Sequence, residues 1–182
     1  MPSALLTILA AVVIAQRLAE LRLARHNAHW ARSQGAVEHG ASHYPAFVML
    51  HTGWLAGWIV EGWLRGPSVS AAWPAWLSLF AAAEALRYWA IASLGRRWNT
   101  RIFVLPGQPI VRRGPYQFVR HPNYVAVATE LIAVPLIFDA WITALVASVV
   151  NAILLLAIRI PAEERALGTR APSQSQFQQR RQ

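Results

Sequence analysis

A short polar motif interrupts an otherwise apolar chain at residues 120–124, which read Arg-His-Pro-Asn-Tyr. Proline is favoured at the first position of a helix, so Pro122 predicts a helix start with His121 at the N-cap. The free N–H groups and the positive dipole end of such a helix attract an anion such as a carboxylate. Taken alone, the motif favours a helix that simply begins at a membrane boundary, where Arg120 reaches the headgroups and Tyr124 joins the aromatic belt.

A second polar motif lies near the end of the chain and contains Arg159, Glu163 and Glu164. Arg159 and Glu163 are four residues apart, which places both side chains on one face of a helix. Pro161 lies between them and predicts a kink in that turn. In isolation the pair is typical of an ion pair that ends a membrane helix.

Ionisable residues also occur inside the apolar segments, where they are costly and usually face a partner or an internal cavity. Glu84 is followed by Arg87 three residues later, whereas Glu130 and His51 stand alone in their segments. Each fits either a functional group or a satisfied structural polar residue.

Several kinds of chemistry are excluded. The chain has no cysteine, which removes disulfides, thiolate metal sites and cysteine nucleophiles. No dinucleotide-binding, P-loop or zinc-protease motif is present. Histidines crowd the first loop, but only His39 and His43 have a helical i, i+4 spacing, so no metal is expected.

The composition predicts a membrane protein. The chain has 182 residues, is 55% hydrophobic and only 14% charged, against about 25% charged residues in soluble domains. The net charge of +9 comes from arginine without any lysine. These charges lie between apolar runs, which favours anionic lipid headgroups over nucleic acid as the partner. Nine tryptophans indicate side chains at the membrane–water boundary.

The predicted fold is an all-α integral membrane protein with about five transmembrane helices, since about 20 residues cross a bilayer. The fourth and fifth segments are separated only by residues 138–140, which predicts a tight helical hairpin. The first segment lacks the basic start of a secretory signal and is interpreted as a retained anchor. The five segments are 3–23, 45–64, 71–94, 123–138 and 140–160.

Arginine placement predicts the orientation of these segments. Alternating spans place residues 24–44, residues 95–122 and the C-terminus on one side, together with every one of the 17 arginines except Arg65. The positive-inside rule makes that side cytoplasmic and the N-terminus external. A bacterial inner membrane protein is the expected location.

The loop at residues 95–122 is the most informative connection. Residues 102–105 and 110–111 are short β-prone runs, and Pro106-Gly107 and Gly114-Pro115 are turn dipeptides. A short hairpin or a folded loop on the membrane surface is predicted.

Gly53 and Gly57 form a GxxxG pattern that lets two helix backbones approach closely. The partner is another span or a second copy of the chain, which makes a homo-oligomer through this face an open alternative. Residues 1–167 are predicted to form one domain, with its motif-bearing part at 95–167. The tail at 168–182 has too little apolar content to fold and is predicted to be disordered.

The motifs together resemble the isoprenylcysteine carboxyl methyltransferase family of membrane enzymes. The resemblance is carried by Gly114-Pro-Tyr116, by residues 120–124, and by Arg159 with Glu163 and Glu164. Residues 38–44 and His51 look more like a bacterial branch associated with O-methylation of alkylpyrone lipids. The chain lacks the closing segment that usually follows the Glu pair, so a prenylated protein is not implied as the acceptor.

The resemblance implies S-adenosyl-L-methionine as the cofactor, held in a cytosolic pocket formed by residues 95–122 and the ends of the last two helices. In such a pocket a carboxylate pairs the cofactor's ammonium, and a helix N-terminus receives its carboxylate. Carried over by motif, the cofactor-binding residues are Gln108, Pro109, Ile110, Val111, Tyr116, His121, Pro122, Asn123, Tyr124 and Glu163.

Arg159 matches the position implied in orienting the acceptor, and it is the predicted catalytic residue. It would position an acceptor carboxylate, or lower the pKa of an enol or phenol. A carboxylate acceptor needs no general base, whereas a hydroxyl acceptor of high pKa does. Glu130 and His51 are the candidates for that role and for contact with the substrate.

Three functions remain open at this point. The first is a methyltransferase acting on a lipophilic small-molecule or prenylated acceptor. The second is a non-catalytic membrane scaffold or lipid carrier, and the third is a membrane reductase of related fold. Binding of S-adenosylmethionine or of a nicotinamide cofactor would distinguish them.

Overall fold

The protein is mostly helical, and the computed structural model describes residues 2–66 and 68–168. Its elements in chain order are α1 (Pro2–Ser33), β1 (Val37–His39), α2 (Tyr44–Leu64), α3 (Trp73–Leu94), β2 (Ile102–Val104), α4 (Pro122–Ile137), α5 (Trp141–Ile153), a π-helical turn (Leu154–Arg159) and α6 (Ile160–Gly168). The last three form one continuous helical rod. Residues 169–182, which include nearly all of the predicted disordered tail, lie outside the described residues.

Two helical stretches in the described chain are both long and apolar enough to cross a membrane, Ser3–Ser33 and Trp141–Gly168. Helices α2 and α3 have 21 and 22 residues, or about 30 Å at 1.5 Å per residue. Helix α4 is a shorter apolar helix; its 16 residues reach about 24 Å. The number of five spans therefore stays a prediction.

The tight turn predicted between the fourth and fifth segments is confirmed. Helix α4 ends at Ile137 and α5 begins at Trp141. The carbonyl of Pro135 accepts hydrogen bonds from the N–H groups of Phe138 and Ala140, each at 3.0 Å. Asp139 has a φ of 53°, a left-handed conformation that Asp tolerates better than most residues.

The prediction of an all-α chain is wrong in one detail, because β1 and β2 form a two-stranded antiparallel sheet. Val37 pairs with Val104, and His39 pairs with Ile102. Ile102–Val104 is a strand as predicted, but its partner is the first loop. Residues 110–111 have no regular structure.

This sheet shows that three segments share one end of the helix bundle. Helix α6 packs against both strands, and Ala166 joins Ile102 and Val104 in a small buried cluster. The first loop, the 95–121 segment and the end of the rod therefore lie together. These are the arginine-rich segments that the charge pattern places on a common side.

At the opposite end of the bundle, a residue of α2 caps the N-terminus of α5. The Glu61 carboxylate accepts hydrogen bonds from the backbone N–H groups of Ile142 and Thr143 at 3.1 and 2.8 Å. A carboxylate at a helix N-terminus satisfies free donors and complements the dipole. The loop before α3 closes the same end, since Ser70 N–H donates to the Ile137 carbonyl at 2.9 Å.

Tryptophans divide between the surface and the core. Trp63, Trp73 and Trp141 are exposed at this second end of the bundle, as a membrane-boundary position requires. Trp54 and Trp58 are buried instead, so the boundary prediction is wrong for them. The Trp58 ring stacks on Phe138 with centroids 5.7 Å apart, and Trp54 Nε1 donates to the Leu131 carbonyl at 3.2 Å.

One of the two GxxxG glycines contacts another helix of the same chain. A Cβ at Gly57 would lie 3.0 Å from the Thr143 side chain of α5, whereas a Cβ at Gly53 would meet nothing within 4 Å. Gly57 thus serves packing within the chain. A homo-oligomer through this face stays a prediction. Of the two glycines, only Gly53 leaves space for a second copy of the chain.

Five ionisable side chains from three helices meet inside the bundle. This ion cluster consists of Arg17 and Glu20 of α1, Glu84 and Arg87 of α3, and Glu130 of α4.

Glu130 is the most buried carboxylate of this ion cluster, with 1% of its surface exposed. One oxygen accepts from Arg17 and the other from Arg87. Arg87 also reaches Glu20 at 3.2 Å. Three carboxylates face two guanidiniums, and the Gln16 amide supplies additional hydrogen bonds to Glu20 and Glu84.

The loop that carries the first motif is tied to the end of α3 by a glycine. Gly114 has a φ of +60°, and a Cβ there would lie 1.9 Å from Ser93 Oγ. The neighbouring Arg113 Nε donates to the Ser93 carbonyl at 2.8 Å. Only glycine permits both this conformation and this approach.

We expect Arg87→Met to lower the free energy of unfolding by about 3–5 kcal/mol, because it leaves Glu130 and Glu20 buried without one of their cations. Chemical unfolding in mixed detergent micelles measures this. Arg22→Met, an exposed arginine on α1, is the matched control and should change stability by less than about 0.5 kcal/mol. Adding Glu130→Gln to Arg87→Met should restore part of the lost stability. Equal losses for Arg87→Met and Arg22→Met would contradict the role of the ion cluster.

We expect Gly114→Ala to destabilise the protein more than Gly107→Ala does. Both glycines have positive φ, but a Cβ at Gly107 would meet nothing within 4 Å. The strained conformation alone costs about 1–2 kcal/mol at either position, and only Gly114 adds the clash with Ser93. The same unfolding measurement tests this; equal losses would show that the approach to Ser93 relaxes freely.

Candidate active site

The first motif begins helix α4 as predicted, with Pro122 at its first position and His121 as the N-cap residue. The His121 side chain makes no capping hydrogen bond. Its ring stacks instead on Tyr124, with centroids 5.2 Å apart and planes 13° apart. Pro122 has no N–H, and the N–H groups of Tyr124 and Val125 both donate to the His121 carbonyl, at 3.0 and 3.3 Å. The N–H of Asn123 is therefore the donor that the first turn leaves for a ligand.

The second motif reaches this helix end through Tyr124. The Tyr124 hydroxyl donates to Glu163 Oε2 at 2.5 Å and accepts from Arg159 Nε at 3.0 Å. His121 Nδ1 lies 3.9 Å from the same Glu163 oxygen. The structure thus brings His121, Tyr124, Arg159 and Glu163 into one cluster, here called the Tyr124 cluster.

Arg159 is held on three sides and is only 6% exposed. Besides Tyr124, its Nη2 donates to the Thr100 carbonyl at 2.9 Å, and its guanidinium lies 5.8 Å from the centroid of the Phe47 ring. No carboxylate of the described chain forms a salt bridge with Arg159 within 4.0 Å. A buried cation without an anion is suited to an anionic ligand.

A π-helical turn, Leu154–Arg159, positions Arg159. This turn holds more residues per turn than an α-helix and often occurs at functional sites. It ends just before Pro161, which has no N–H to donate. The chain continues into α6 through Pro161, and Arg159 and Glu163 both contact Tyr124.

Tyr116 and Asn123 complete the polar surroundings. Burial raises the pKa of the Tyr116 phenol, and the charge of Glu163 raises it further, so this hydroxyl stays protonated and can donate. Asn123 Oδ1 is buried and has no hydrogen-bond partner within the residues the structure describes. A buried unsatisfied acceptor is uncommon and suggests a missing donor.

A further ion pair, which joins the two motifs, lies at the surface. Arg120 and Glu164 are 3.3 Å apart, with side chains 86% and 49% exposed. An exposed ion pair of this kind contributes little to stability. Glu163 and Glu164 therefore have different environments although they are neighbours.

Other predicted residues are not in the Tyr124 cluster. Gln108 to Ile110 are exposed, and Arg97 holds this loop by donating to Gln108 Oε1 at 2.5 Å and to the Pro109 carbonyl at 2.9 Å. Glu130 belongs to the ion cluster and lies six residues after Tyr124, or about 9 Å along α4. His51 Nδ1 bonds the Phe47 carbonyl at 2.8 Å, one turn earlier in α2.

Sequence reasoning missed the first loop as part of this region. Glu38 of β1 is 2.6 Å from Arg101 and 2.9 Å from Arg32. Burial opposes its ionisation, but hydrogen bonds from Arg101 and Arg32 outweigh this and lower the pKa of the Glu38 carboxyl. The Arg101 guanidinium also lies 4.2 Å from the Tyr44 ring centroid, next to Thr100, whose carbonyl holds Arg159.

The long first helix α1 anchors the start of the 95–121 segment. Asn27 Nδ2 donates to the Trp98 carbonyl at 2.8 Å, and Asn99 Nδ2 donates to the Ala24 carbonyl at 2.9 Å. Both contacts join residues more than 70 positions apart, so no local sequence signal could have indicated them. They hold the part of α1 that follows the predicted apolar segment against the start of the 95–121 segment.

The donors and acceptors of the Tyr124 cluster suit a ligand that carries both an ammonium and a carboxylate. Glu163 and Asn123 Oδ1 are acceptors for a cation. The α4 N-terminus and His121 are donors for an anion. Within the described residues no group of three or more His, Cys, Asp or Glu side chains is placed to hold a metal ion.

Known proteins resemble this chain in sequence. The isoprenylcysteine carboxyl methyltransferase (ICMT) family is matched over residues 76–169, which includes every residue of the Tyr124 cluster. No solved structure matches the chain.

Two bacterial relatives extend the similarity over most of the chain. "Uncharacterized protein YpbQ" of Bacillus subtilis (strain 168) is 40% identical over 160 residues, covering 88% of this chain and 95% of that protein. An "Uncharacterized protein" of Haemophilus influenzae is 28% identical over 158 residues, covering 86% and 91%. With the family match and the shared motifs, the chain belongs to the isoprenylcysteine carboxyl methyltransferase family.

Proposed function

We propose that the protein is an S-adenosyl-L-methionine-dependent O-methyltransferase that acts on a lipophilic acceptor at the membrane–cytosol interface. The observation that carries this proposal is the Tyr124 cluster, in which Glu163, Tyr124 and Arg159 are joined by hydrogen bonds of 2.5 and 3.0 Å. The family supports methyl transfer as the class of reaction. The acceptor and the cofactor are inferred from the chemistry of the site.

Each residue of the Tyr124 cluster has a binding role in this proposal. Glu163 pairs the ammonium of the cofactor, with the unsatisfied Asn123 Oδ1 as a second acceptor. The first turn of α4 and His121 receive its carboxylate. Tyr116 donates from its protonated phenol, and the stacked rings of His121 and Tyr124 offer an aromatic surface.

The cofactor supplies an activated methyl group on a sulfonium. The protein's task is to hold the acceptor oxygen in line with that methyl and to exclude water. Arg159 is placed to hold the acceptor, since it is buried and Tyr124 connects it to Glu163. A guanidinium stabilises a carboxylate or an ionised enol beside it, so such an acceptor needs no further base.

The environment of Glu130 makes it a poor general base. Both of its oxygens accept hydrogen bonds from arginines, so neither is free to take a proton from an acceptor hydroxyl. We therefore assign Glu130 to the ion cluster. The favoured acceptor is a carboxylate or an acidic enol, which is ionised near neutral pH without a base, whether it belongs to a polyketide-type lipid or to a prenylated molecule.

The proposed orientation places the Tyr124 cluster in the cytoplasm of a bacterial cell, where S-adenosylmethionine is available. Its support is the arginine-rich end of the bundle, at which the first loop, the 95–121 segment and α6 meet. The N-terminus then lies outside. Membrane lipids surround the apolar helices, which expose side chains such as Ile8, Met49 and Leu145.

We expect Glu163→Gln to weaken S-adenosylmethionine binding by about tenfold or more, because it removes a charged partner of the ammonium. His121→Ala should have a similar effect. Isothermal calorimetry on the purified protein in detergent measures both. Glu164→Gln is the matched control, since this exposed neighbour should leave the affinity unchanged.

Two outcomes of this calorimetry would contradict the proposal. The first is a protein that folds normally and binds no S-adenosylmethionine. The second is binding of a nicotinamide cofactor in its place, which would select the reductase. Transfer of a labelled methyl group into a lipid extract, followed by identification of the product, then determines the acceptor.

We expect a single cysteine at position 68 to react from outside the cell and one at position 33 to react only from the cytoplasm. The chain has no cysteine of its own, so Ser68→Cys and Ser33→Cys each report one exposed site. A membrane-impermeant maleimide applied to intact and to permeabilised spheroplasts measures the difference, with the unmodified protein as the blank. The reverse pattern would place the Tyr124 cluster outside.

A further inference from the structure

The buried guanidinium of Arg159 is held by a backbone carbonyl from a stretch without regular secondary structure. Its Nη2 donates to the Thr100 carbonyl at 2.9 Å, and its Nε donates to the Tyr124 hydroxyl at 3.0 Å. Tyr124 is fixed within α4, but residues 98–101 belong to neither a helix nor a strand. The position of Arg159 therefore depends on what holds the peptide group between Thr100 and Arg101.

That peptide group is fixed at both of its polar ends. A trans peptide is planar, so its N–H and its carbonyl point in opposite directions. The Arg101 N–H donates to Asn99 Oδ1 at 3.0 Å, and the Asn99 amide donates to the Ala24 carbonyl of α1 at 2.9 Å. The carbonyl end of the peptide is thereby turned toward Arg159.

The Arg101 side chain is held by two residues from the N-terminal part of the chain. Its Nη1 lies 2.6 Å from Glu38 Oε1 of β1, and its guanidinium lies 4.2 Å from the centroid of the Tyr44 ring at the start of α2. Glu38 is itself tied to the end of α1 by Arg32 at 2.9 Å. Glu38, Tyr44 and Arg101 are here called the Glu38 clamp.

A glycine turn connects Glu38 to Tyr44 within this clamp. Gly40 has a φ of +64°, and a Cβ there would lie 1.8 Å from His43 Nε2, so only glycine permits both the conformation and the approach. A single 3-10 turn follows, and α2 begins at Tyr44. The motif at residues 38–44 thus has a role outside the Tyr124 cluster.

The Glu38 clamp adds little to stability but constrains geometry. The side chains of Glu38 and Arg101 are 19% and 37% exposed, and ion pairs in contact with water contribute little to the free energy of unfolding. A reacting group is more sensitive, because a displacement of about 1 Å can lower a rate by about 100-fold. A member of the clamp can therefore affect the rate of a reaction with little effect on folding.

We propose that Glu38 is a positioning residue for methyl transfer and that it sets the place of Arg159. It acts through the side chain of Arg101 and the carbonyl of Thr100. This inference rests on the proposed methyltransferase function, in which Arg159 holds the acceptor. Glu38 and Tyr44 lie outside the family match at residues 76–169, whereas Arg101 and Arg159 lie inside it.

The test measures transfer of a labelled methyl group from S-adenosylmethionine into a lipid extract by the full chain in detergent. Glu38→Gln should lower the rate per cofactor-binding site about tenfold, because Arg101 loses its anion and Arg159 shifts. Calorimetry counts these sites, and the affinity for S-adenosylmethionine should be unchanged. Glu164→Gln, which removes the same charge from an exposed ion pair, is the matched control and should leave the rate unchanged.

Conservative variants separate positioning from a general loss of structure. Glu38→Asp keeps the charge and should retain more of the rate than Glu38→Gln does. Tyr44→Phe keeps the ring beside the Arg101 guanidinium and should transfer normally, whereas Tyr44→Leu removes the ring and should lose rate. Asn99→Ala releases the N–H of the same peptide, so its loss and that of Glu38→Gln should combine to less than their product.

Three results would overturn the proposal. The first is transfer by Glu38→Gln at the wild-type rate. The second is a pair of losses in Glu38→Gln and Asn99→Ala that multiply, as independent effects do. The third is a fall in the number of cofactor-binding sites that matches the fall in rate, which would show that Glu38 only supports folding.

The failure of the proposed function has a different signature. A wild-type protein that binds S-adenosylmethionine but transfers no methyl group to the extract would contradict the methyltransferase function and, with it, the role of the Glu38 clamp. Transfer by the wild type and by Glu38→Gln at equal rates would contradict the clamp alone.

Discussion

The ion cluster of Arg17, Glu20, Glu84, Arg87 and Glu130 is the constraint on which the rest of the bundle depends. Charges at membrane depth are costly, and pairing with an opposite charge lowers that cost. Here the partners come from α1, α3 and α4, so three helices must hold one register. Glu130 is the centre of this arrangement because both of its oxygens are bound by arginines from different helices.

This constraint also positions the Tyr124 cluster. Tyr124 is on the same helix as Glu130, less than two turns away, so a fixed α4 fixes the Tyr124 hydroxyl. The helical rod then supplies Glu163 and Arg159 from its π-helical turn and α6. The start of α2 completes the surroundings through Tyr44 and Phe47, and the first loop reaches the same end through the sheet with β2. The ion cluster lies inside the bundle, whereas the Tyr124 cluster is the place at which we propose that a ligand binds. The two buried arginines, Arg87 and Arg159, therefore have different surroundings.

Much of the local structure could be predicted because its causes are local. Pro122 begins α4 and residues 138–140 separate two helices, since proline and a short polar turn act on their immediate neighbours. Ile102–Val104 was identified as a strand by its residue types. Its partner was not, because strand pairing joins distant segments, and β1 lies more than 60 residues earlier. Glu130 and His51 were identified as ionisable residues in apolar segments, but their hydrogen-bond partners could not be predicted from the sequence.

The sequence by itself determined the apolar segments, the arginine asymmetry, the start of α4 and the residue types that a zwitterionic ligand requires. It also contains the family motifs, whose spacing can be read without a structure. Only the tertiary structure decided that Glu130 is paired with Arg17 and Arg87, and that Arg159 has no salt-bridge carboxylate of its own in the described chain. It also decided that Phe47 of α2 lies against Arg159. The physical reason is that a charge acquires its role from the partners folded around it, and those partners are distant in sequence.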